Sequence, residues 1–246
     1  MVLPDDWPAL EHSCGGRAQA ARAIAWLEHN GWLQPIRRGA WAIRSRTLTL
    51  SARTLDLVGD LSGSPHLVTA GYALALSGLS DQAFRTVIVA TPKRRRDWSW
   101  SGDQVHYVQM PSAQVWGGST RRGSKTIVAE PERALLDSLA HPRWGVSLAH
   151  AVEALDRALI GGDPFTERLA TATARYGNAQ LARRVGYLVN LLAGDDQARM
   201  FRALRGSSKA LTPLALGTGG DGSTDPTWRI RINVEPDRLL SHRHAA

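Results

Sequence analysis

The sequence contains a single cysteine and no long apolar run. Because Cys14 has no partner in the chain, neither an internal disulfide nor a cysteine-rich zinc site is possible. Every apolar run is shorter than the ~20 residues that a membrane-spanning helix needs. The start of the chain is acidic and lacks the apolar segment of a signal peptide. We therefore predict a cytoplasmic protein with no membrane partner.

Catalytic motifs are also missing. The sequence has no HExxH, GxSxG, P-loop or CxxC motif, and its histidines are scattered. A metal-dependent nuclease needs two or more carboxylates that converge on a cation, usually with a nearby lysine. The residues that could serve lack a persuasive spacing: Asp103, Lys125, Glu130, Glu132 and Asp137. We predict a protein that is not an enzyme and has no cofactor. A metal-dependent nuclease fused to a DNA-binding domain is the alternative.

Positive charge is concentrated near the N-terminus. The whole chain carries a formal charge of +8, which favours a polyanionic partner. Residues 14–55 contain seven arginines, no lysine and one acid, Glu28, so +6 of that charge lies in about a sixth of the length. Arginine suits bidentate contacts with phosphate or guanine. This charge predicts a DNA-binding region, with a merely solvated basic surface as the other interpretation.

The pattern of residues 16–46 gives that region a shape. Small and apolar residues recur on one face at a helical period: Ala20, Ala23, Ile24 and Leu27. Gly31 ends the helix, and two apolar runs follow, at residues 32–36 and 40–43. Arg37, Arg38 and Gly39 separate these runs, which predicts a tight hairpin. A helix followed by a basic hairpin is typical of a winged helix-turn-helix, although only one short helix, at residues 5–13, fits before it.

The predicted DNA contacts follow from this arrangement. The N-terminal part of a recognition helix lies nearest the floor of the major groove, so Arg17, Gln19 and Arg22 are the predicted base readers. The hairpin and its flank supply the predicted phosphate contacts Arg37, Arg38, Arg44 and Arg46. A second patch, Lys93, Arg94, Arg95 and Arg96, follows a predicted strand. Beside it, Trp98 and Trp100 either stack on nucleic acid bases or cover the sheet edge.

The remainder of the chain predicts a larger α+β domain. Strands are predicted at residues 86–90, 105–110, 126–129 and 228–234, and helices at 52–61, 68–76, 131–140, 147–160, 164–176 and 179–192. A Ser-Gly-Ser-Pro break at 62–65 sets the domains at 1–63 and 64–246. The second domain is a small sheet covered by helices. A glycine-rich loop at 116–124 and a polar tail from Ser241 are predicted to be mobile and disordered, respectively.

Five stretches of this larger domain occur in the order that one family keeps. They read GYALALSGLSDQ (71–82), VIVATPKRRR (87–96), VAEPERALLDSLAHPRWG (128–145), YGNAQLARRVGYL (176–188) and WRIRINV (228–234). This succession resembles the AbiEi family of type IV toxin–antitoxin systems. The resemblance implies a transcriptional autorepressor that binds the operator of its own promoter. It also implies an antitoxin that counters a nucleotidyltransferase toxin encoded beside it.

Charged residues within these stretches admit more than one interpretation. Glu132 and Asp137 are five apart and diverge on a helix, so a helix-start charge and a local ion pair are favoured over catalysis. Arg183 and Arg184 either face solvent or pair with the acids near 130–137. A ligand-sensing transcriptional regulator is a third functional alternative, although the sequence identifies no effector pocket.

Overall fold

The computed structural model describes residues 1–43, 54–121, 123–160, 162–219 and 221–244. Over these ranges the chain has an α+β fold with mixed sheets. The predicted fold class is therefore confirmed at this level. We describe the fold as an N-terminal unit, residues 1–43, and a larger unit, residues 54–244.

The N-terminal unit consists of two helices and a hairpin. Its elements are α1 (Trp7–Cys14), α2 (Arg17–His29), β1 (Leu33–Arg37) and β2 (Ala40–Ile43). Gly15 takes a left-handed conformation (φ +77°), which ends α1 and lets α2 begin two residues later. The two strands are antiparallel, and Val2 forms a bridge with Trp41 on the outer side of β2. Ala20, Ile24 and Leu33 form the buried side of the unit.

A six-stranded mixed sheet is the centre of the larger unit. The first elements are α3 (Thr54–Ser62), β3 (Leu67–Thr69), α4 (Ala70–Leu76), β4 (Thr86–Thr91), β5 (Trp98–Trp100), β6 (Asp103–Gln109), β7 (Gly118–Thr120) and β8 (Ile127–Ala129). The strand order is β5-β6-β4-β3-β8-β7. The β4–β6 and β3–β8 pairs are parallel and the others antiparallel. The central strand β4 is an almost wholly buried, β-branched run, as a strand covered on both faces requires.

Helices and a small second sheet complete the larger unit. They are α5 (Pro131–Ala140), α6 (Leu148–Leu159), α7 (Asp163–Tyr176), α8 (Ala179–Ala193), α9 (Asp195–Ala198), β9 (Thr212–Pro213), β10 (Ser223–Asp225), β11 (Ile230–Ile232) and α10 (Pro236–Leu239). Pro131 begins α5 at the position where a missing N–H costs nothing. The Asn178 side chain caps α8 by accepting from two backbone amides. Trp228 is fully buried against Gly186, where a Cβ atom would lie 2.1 Å from the indole ring.

Helix α3 packs against the large sheet. Thr54 Oγ1 donates a hydrogen bond to Asp103 Oδ2 at 2.7 Å, and Thr126 Oγ1 donates to the carbonyl of Leu55. A Cβ atom on Gly59 would lie only 2.6 Å from the backbone nitrogen of Thr126, so the two segments are in direct backbone contact. The sequence placed this helix in domain 1–63. Its contacts are the reason that we describe it with the larger unit.

Three local predictions need correction. The run predicted as a helix at 68–76 is a strand, β3, followed by α4, and the change occurs at Ala70, whose φ is +55°. The loop at 116–124 contains the edge strand β7. The tail is ordered over Ser241–His244, a short 3-10 helix whose His242 and Arg243 side chains bond to Asp156. The four predicted helices between residues 131 and 192 are confirmed.

Candidate nucleic-acid interface

The residues predicted to read bases are exposed on α2. Gln19 and Arg22 lie opposite the buried Ala20 and Ile24. The amphipathic spacing therefore sets which side of the helix is free. Arg17, in the first turn, is exposed on the same side of the helix as the two buried residues. Arg17 lies 3.8 Å from a carboxylate oxygen of Glu11, but both side chains face solvent, so this ion pair restrains Arg17 little.

An exposed tryptophan on the same helix was missed from the sequence. Trp26 follows Arg22 by one helical turn, and 61% of its surface is exposed. Single exposed apolar side chains are common on protein surfaces, so Trp26 alone does not indicate a binding site.

The hairpin presents one of its two arginines to solvent. Arg38 is exposed. Arg37 is only partly exposed, and its Nη2 donates to the carbonyl of Leu61, at the end of α3, at 3.3 Å. Burial lowers the pKa of Arg37, and the nearby charge of Arg95 acts in the same direction. This side chain attaches the hairpin to α3, and its contact with a phosphate stays a prediction.

The second basic patch lies beside the hairpin. Arg95 Nη1 donates to the same Leu61 carbonyl at 3.0 Å, so Arg95 is also a fixed side chain rather than a free phosphate contact. Lys93, Arg94 and Arg96 are exposed around it. Because Arg37 and Arg95 share one acceptor, the two patches that the sequence places more than 50 residues apart meet in one region.

Four further residues that the sequence offered as contacts are Arg44, Arg46, Trp98 and Trp100. Arg44 and Arg46 lie outside the described residues. Trp98 and Trp100 are buried in β5, and Trp98 Nε1 donates to the hydroxyl of Tyr107 at 3.2 Å. These two tryptophans therefore cover the sheet edge, and the alternative that they stack on nucleic acid bases is wrong.

The acids of the ERALLD stretch are engaged in local pairs. Arg133 Nε and Asp137 Oδ2 are 2.9 Å apart, and both side chains are buried. Asp137 also accepts from Thr69 Oγ1 at 2.6 Å and from the Tyr176 hydroxyl at 3.0 Å. Glu132 pairs with Arg168. Both oxygens of Asp137 are thus occupied by donors, which leaves this carboxylate poorly placed to take a proton from a substrate.

Two neighbouring groups complete this cluster. The Tyr176 hydroxyl lies 3.2 Å from His141 Nε2. Burial, followed by the charge of Asp137, raises the pKa of Tyr176. The hydroxyl therefore stays protonated and donates a hydrogen bond to the carboxylate. Burial lowers the pKa of His141, so the imidazole is neutral at pH 7. In the parts of the chain that the structure describes, no group of three or more His, Cys, Asp or Glu residues is placed to hold a metal ion.

The adjacent arginines of α8 follow neither predicted interpretation. Arg183 and Arg184 are both buried. Arg183 donates to the carbonyls of three residues and to one hydroxyl: Arg205, Ser208, Ala210 and Thr212. Arg184 Nη1 donates to the carbonyl of Leu139, its Nε has no hydrogen-bond partner among the described residues, and burial lowers its pKa to about 10. Both guanidinium groups hold backbone carbonyls rather than facing solvent or acids.

None of the described helices is long and apolar enough to cross a membrane.

Comparison with known proteins gives a fold but no activity. No protein-family model matches the sequence, and no curated protein matches it. The crystal structure of the RV2827C protein from Mycobacterium tuberculosis is similar, with a TM-score of 0.70, over 99% of this chain and 89% of that one. The two sequences are 16% identical, so the similarity concerns the α+β fold alone.

Proposed function

We propose that the protein is a DNA-binding transcriptional autorepressor whose N-terminal unit is a shortened winged helix-turn-helix. The observation that carries this proposal is the meeting of two basic segments at the end of α3, the β1–β2 hairpin and the loop 93–96. The hairpin supplies Arg38 and the loop supplies Lys93, Arg94 and Arg96, while α2, which packs against β1, supplies the proposed base-reading side chains. Proteins of this class insert a helix in the major groove and contact the backbone with the wing.

The order and spacing of the elements support the proposal. Helix α1 and helix α2 are separated by a two-glycine turn, and the hairpin follows α2 after three residues. Only α1 precedes the proposed recognition helix in this unit. The attachment of Arg37 and Arg95 to Leu61 supplies rigidity that a further helix would otherwise give, because it joins the hairpin to the large sheet through α3.

We further propose that the larger unit is an antitoxin that counters a nucleotidyltransferase toxin. This part rests on the five stretches that resemble the AbiEi family. The most specific of them form α5 and α8, where their charged residues are buried and bonded within the unit. We expect these motifs to maintain the scaffold, with the toxin countered through other surfaces.

Replacing Arg22 by alanine tests the repressor proposal through the affinity for DNA. The exposed side chain has no structural duty that the fold requires, so the variant keeps its stability. Affinity for a duplex from its own promoter should fall by about 1–3 kcal/mol, while affinity for random duplex falls less. Fluorescence anisotropy with both duplexes measures this difference. The matched control is Arg199→Ala, another exposed arginine on a helical segment, which should bind both duplexes as the unaltered protein does.

Co-expression with the toxin separates the two proposals. Arg22→Ala should lose repression of a promoter reporter yet still protect cells from a nucleotidyltransferase encoded beside the gene. If the unaltered protein binds its promoter no more tightly than random DNA, the repressor proposal fails. If it represses normally but gives no protection, the antitoxin proposal fails and the regulator stands alone.

A further inference from the structure

A cavity of about 550 Å³ opens beside the ERALLD helix, outside the proposed DNA-binding surface. The segment before β7 forms one wall, with Gln114 and Trp116, and the junction of α7 and α8 forms another, with Arg175 and Tyr176. Cavities of roughly 300–1,000 Å³ commonly bind small molecules, and they usually combine apolar walls with a few polar groups. This cavity has that composition, because Met110, Trp116 and Tyr176 lie next to two guanidinium groups.

The charged groups that line the cavity are both positive. Arg133 and Arg175 contribute to the wall, and none of its described lining residues is an aspartate or a glutamate. The first residues of α8, a helix of 15 residues, also border the space, and the positive end of a helix dipole favours an anion. A second cavity, of about 380 Å³, shares Trp116, Arg133 and Arg175 with the first. Three glutamates, Glu130, Glu132 and Glu167, also line the second cavity, so the first is the more favourable place for an anion.

Arg133 is fixed in place, and one of its two terminal NH2 groups has no partner. Its Nε is paired with Asp137, and its Nη1 donates to the carbonyl of Gln114 at 2.9 Å. Nη2 is buried and has no hydrogen-bond partner among the described residues. An unpaired buried donor of this kind destabilises the free protein, and the effect is larger because the group is charged. Asp137 accepts from Arg133 Nε, Thr69 and Tyr176 but makes no hydrogen bond with Nη2, so this group still lacks an acceptor.

Trp116 connects this buried arginine to the exposed one. The Cζ atom of Arg133 lies 4.6 Å from the centroid of the Trp116 ring, and that of Arg175 lies 4.5 Å from it. Both guanidinium groups therefore lie within cation–π distance of the same indole ring. The Tyr176 ring also lies against this guanidinium, with its centroid 5.1 Å from Cζ. Since Nη2 has no contact with solvent, an incoming oxyanion has to move one of these two rings to reach it.

We propose that this cavity binds a small organic anion, a phosphate monoester or a carboxylate on a flat apolar body. Arg133 and Arg175 bind the charged end, and the side chains of Met110, Trp116 and Tyr176 contact the apolar body. Asp137 is a positioning residue that fixes the Arg133 guanidinium. The site is independent of operator binding and of the toxin, so the proposed function can fail without affecting it.

Binding to the full chain tests the site with four probes. These are AMP (phosphate with a ring), benzoate (carboxylate with a ring), inorganic phosphate and adenosine (a ring without charge). Calorimetric titration and thermal melts measure affinity and stabilisation. We expect AMP or benzoate to bind and, at a hundredfold excess over Kd, to raise Tm by roughly 5–10 °C. Adenosine should not bind, and inorganic phosphate should bind less tightly than the better ring-bearing anion.

An exposed variant identifies the site without disturbing the fold. Arg175→Gln should weaken the binding of the successful probe at least tenfold, since it removes a charged hydrogen bond. Arg199→Gln, at an exposed position outside the cavity, should leave it unchanged. AMP binding without benzoate binding assigns the site to phosphate, and the reverse assigns it to carboxylates. The proposal is overturned if no anionic probe binds at millimolar concentration, or if Arg175→Gln binds the probe as tightly as the unaltered protein.

Discussion

The larger unit of this protein contains several buried arginines, whereas the described arginines of the N-terminal unit are exposed or partly exposed. On the N-terminal unit, Arg17, Arg22 and Arg38 are exposed, and Arg17 has only a distant carboxylate at 3.8 Å. In the larger unit, Arg133, Arg183 and Arg184 are buried and donate to backbone carbonyls or to one buried aspartate. A guanidinium that faces solvent is available to a polyanion. A buried one instead joins chain segments by donating hydrogen bonds to their backbone carbonyls.

This contrast explains why total charge is a poor guide to function in this chain. Several of its positive charges are structural, including Arg37 and Arg95, which hold the hairpin and the basic loop against α3. The basic surface that remains is smaller than the sequence suggested but better defined. Its exposed members are Arg17, Arg22, Arg38, Lys93, Arg94 and Arg96.

The largest expected effect is on the free energy of unfolding, and it distinguishes two adjacent buried arginines, Arg183 and Arg184. Arg183→Met leaves three carbonyls and a hydroxyl without their donor, and each buried acceptor that is left unpaired costs about 1–3 kcal/mol. We expect a loss of about 3 kcal/mol or more in the free energy of unfolding. Denaturant titration at neutral pH measures it.

Arg184→Met is the matched control on the same helix. This side chain makes one described hydrogen bond, and its buried Nε has no partner. Replacing an incompletely paired buried charge by an apolar side chain of similar length is often close to neutral. Loss of the bond to the Leu139 carbonyl costs about 1–3 kcal/mol, and removal of the unpaired buried Nε offsets most of it, so we expect a net cost below about 1 kcal/mol. Equal losses for the two variants would show that the number of carbonyl contacts does not decide stability here.

A smaller effect is expected from the exposed arginines, on binding alone. Arg38→Gln combined with Arg94→Gln removes two exposed charges from the hairpin and the adjoining loop. If both contact phosphates, the slope of log affinity against log salt should fall by roughly two units, because two fewer counterions are released. Unfolding free energy should stay within about 0.5 kcal/mol for each surface change.

The control for this pair removes the same charge elsewhere. Arg231→Gln with Arg238→Gln changes two exposed arginines in the C-terminal part of the larger unit. It should leave the salt slope unaltered. An equal reduction for both pairs would mean that affinity follows net charge and that no defined basic surface exists.

The sequence was informative where the signal is local. Helices α5 to α8 were predictable because their apolar stripes are long and Pro131 or Asn178 marks a start. The short strand β3 was missed because it continues without a break into the apolar helix α4, and a short apolar run does not distinguish the two structures. Edge strand β7 is polar and has no period to detect.

The candidate sites were predictable only in part. The exposed face of α2 followed from its periodicity, which is a property of neighbouring residues. The roles of Arg37 and Arg95 did not, because their shared acceptor Leu61 lies 24 and 34 residues away in the chain. The same holds for Arg133, whose free N–H can be recognised only after Gln114, Asp137 and Trp116 are placed around it.

The smallest expected effect concerns an arginine between the two extremes, Arg243. It is partly exposed and pairs with Asp156, which also accepts from His242, and these contacts hold the segment Ser241–His244 against α6. The hydrogen bond from Arg243, followed by that from His242, lowers the pKa of Asp156 below its usual value of 3.8. The folded-state pKa is thus the lower one, so this stabilisation is complete above the usual value and is lost as pH falls through the folded-state pKa. Hydrogen exchange at the Arg243 amide, corrected for intrinsic rates, should therefore show protection that declines below about pH 4, with little change in Tm.

Asp156→Asn should show low protection at every pH, while Asp237→Asn, an exposed control, should behave as the unaltered protein. A pH dependence that survives in Asp156→Asn would mean that another group holds the segment.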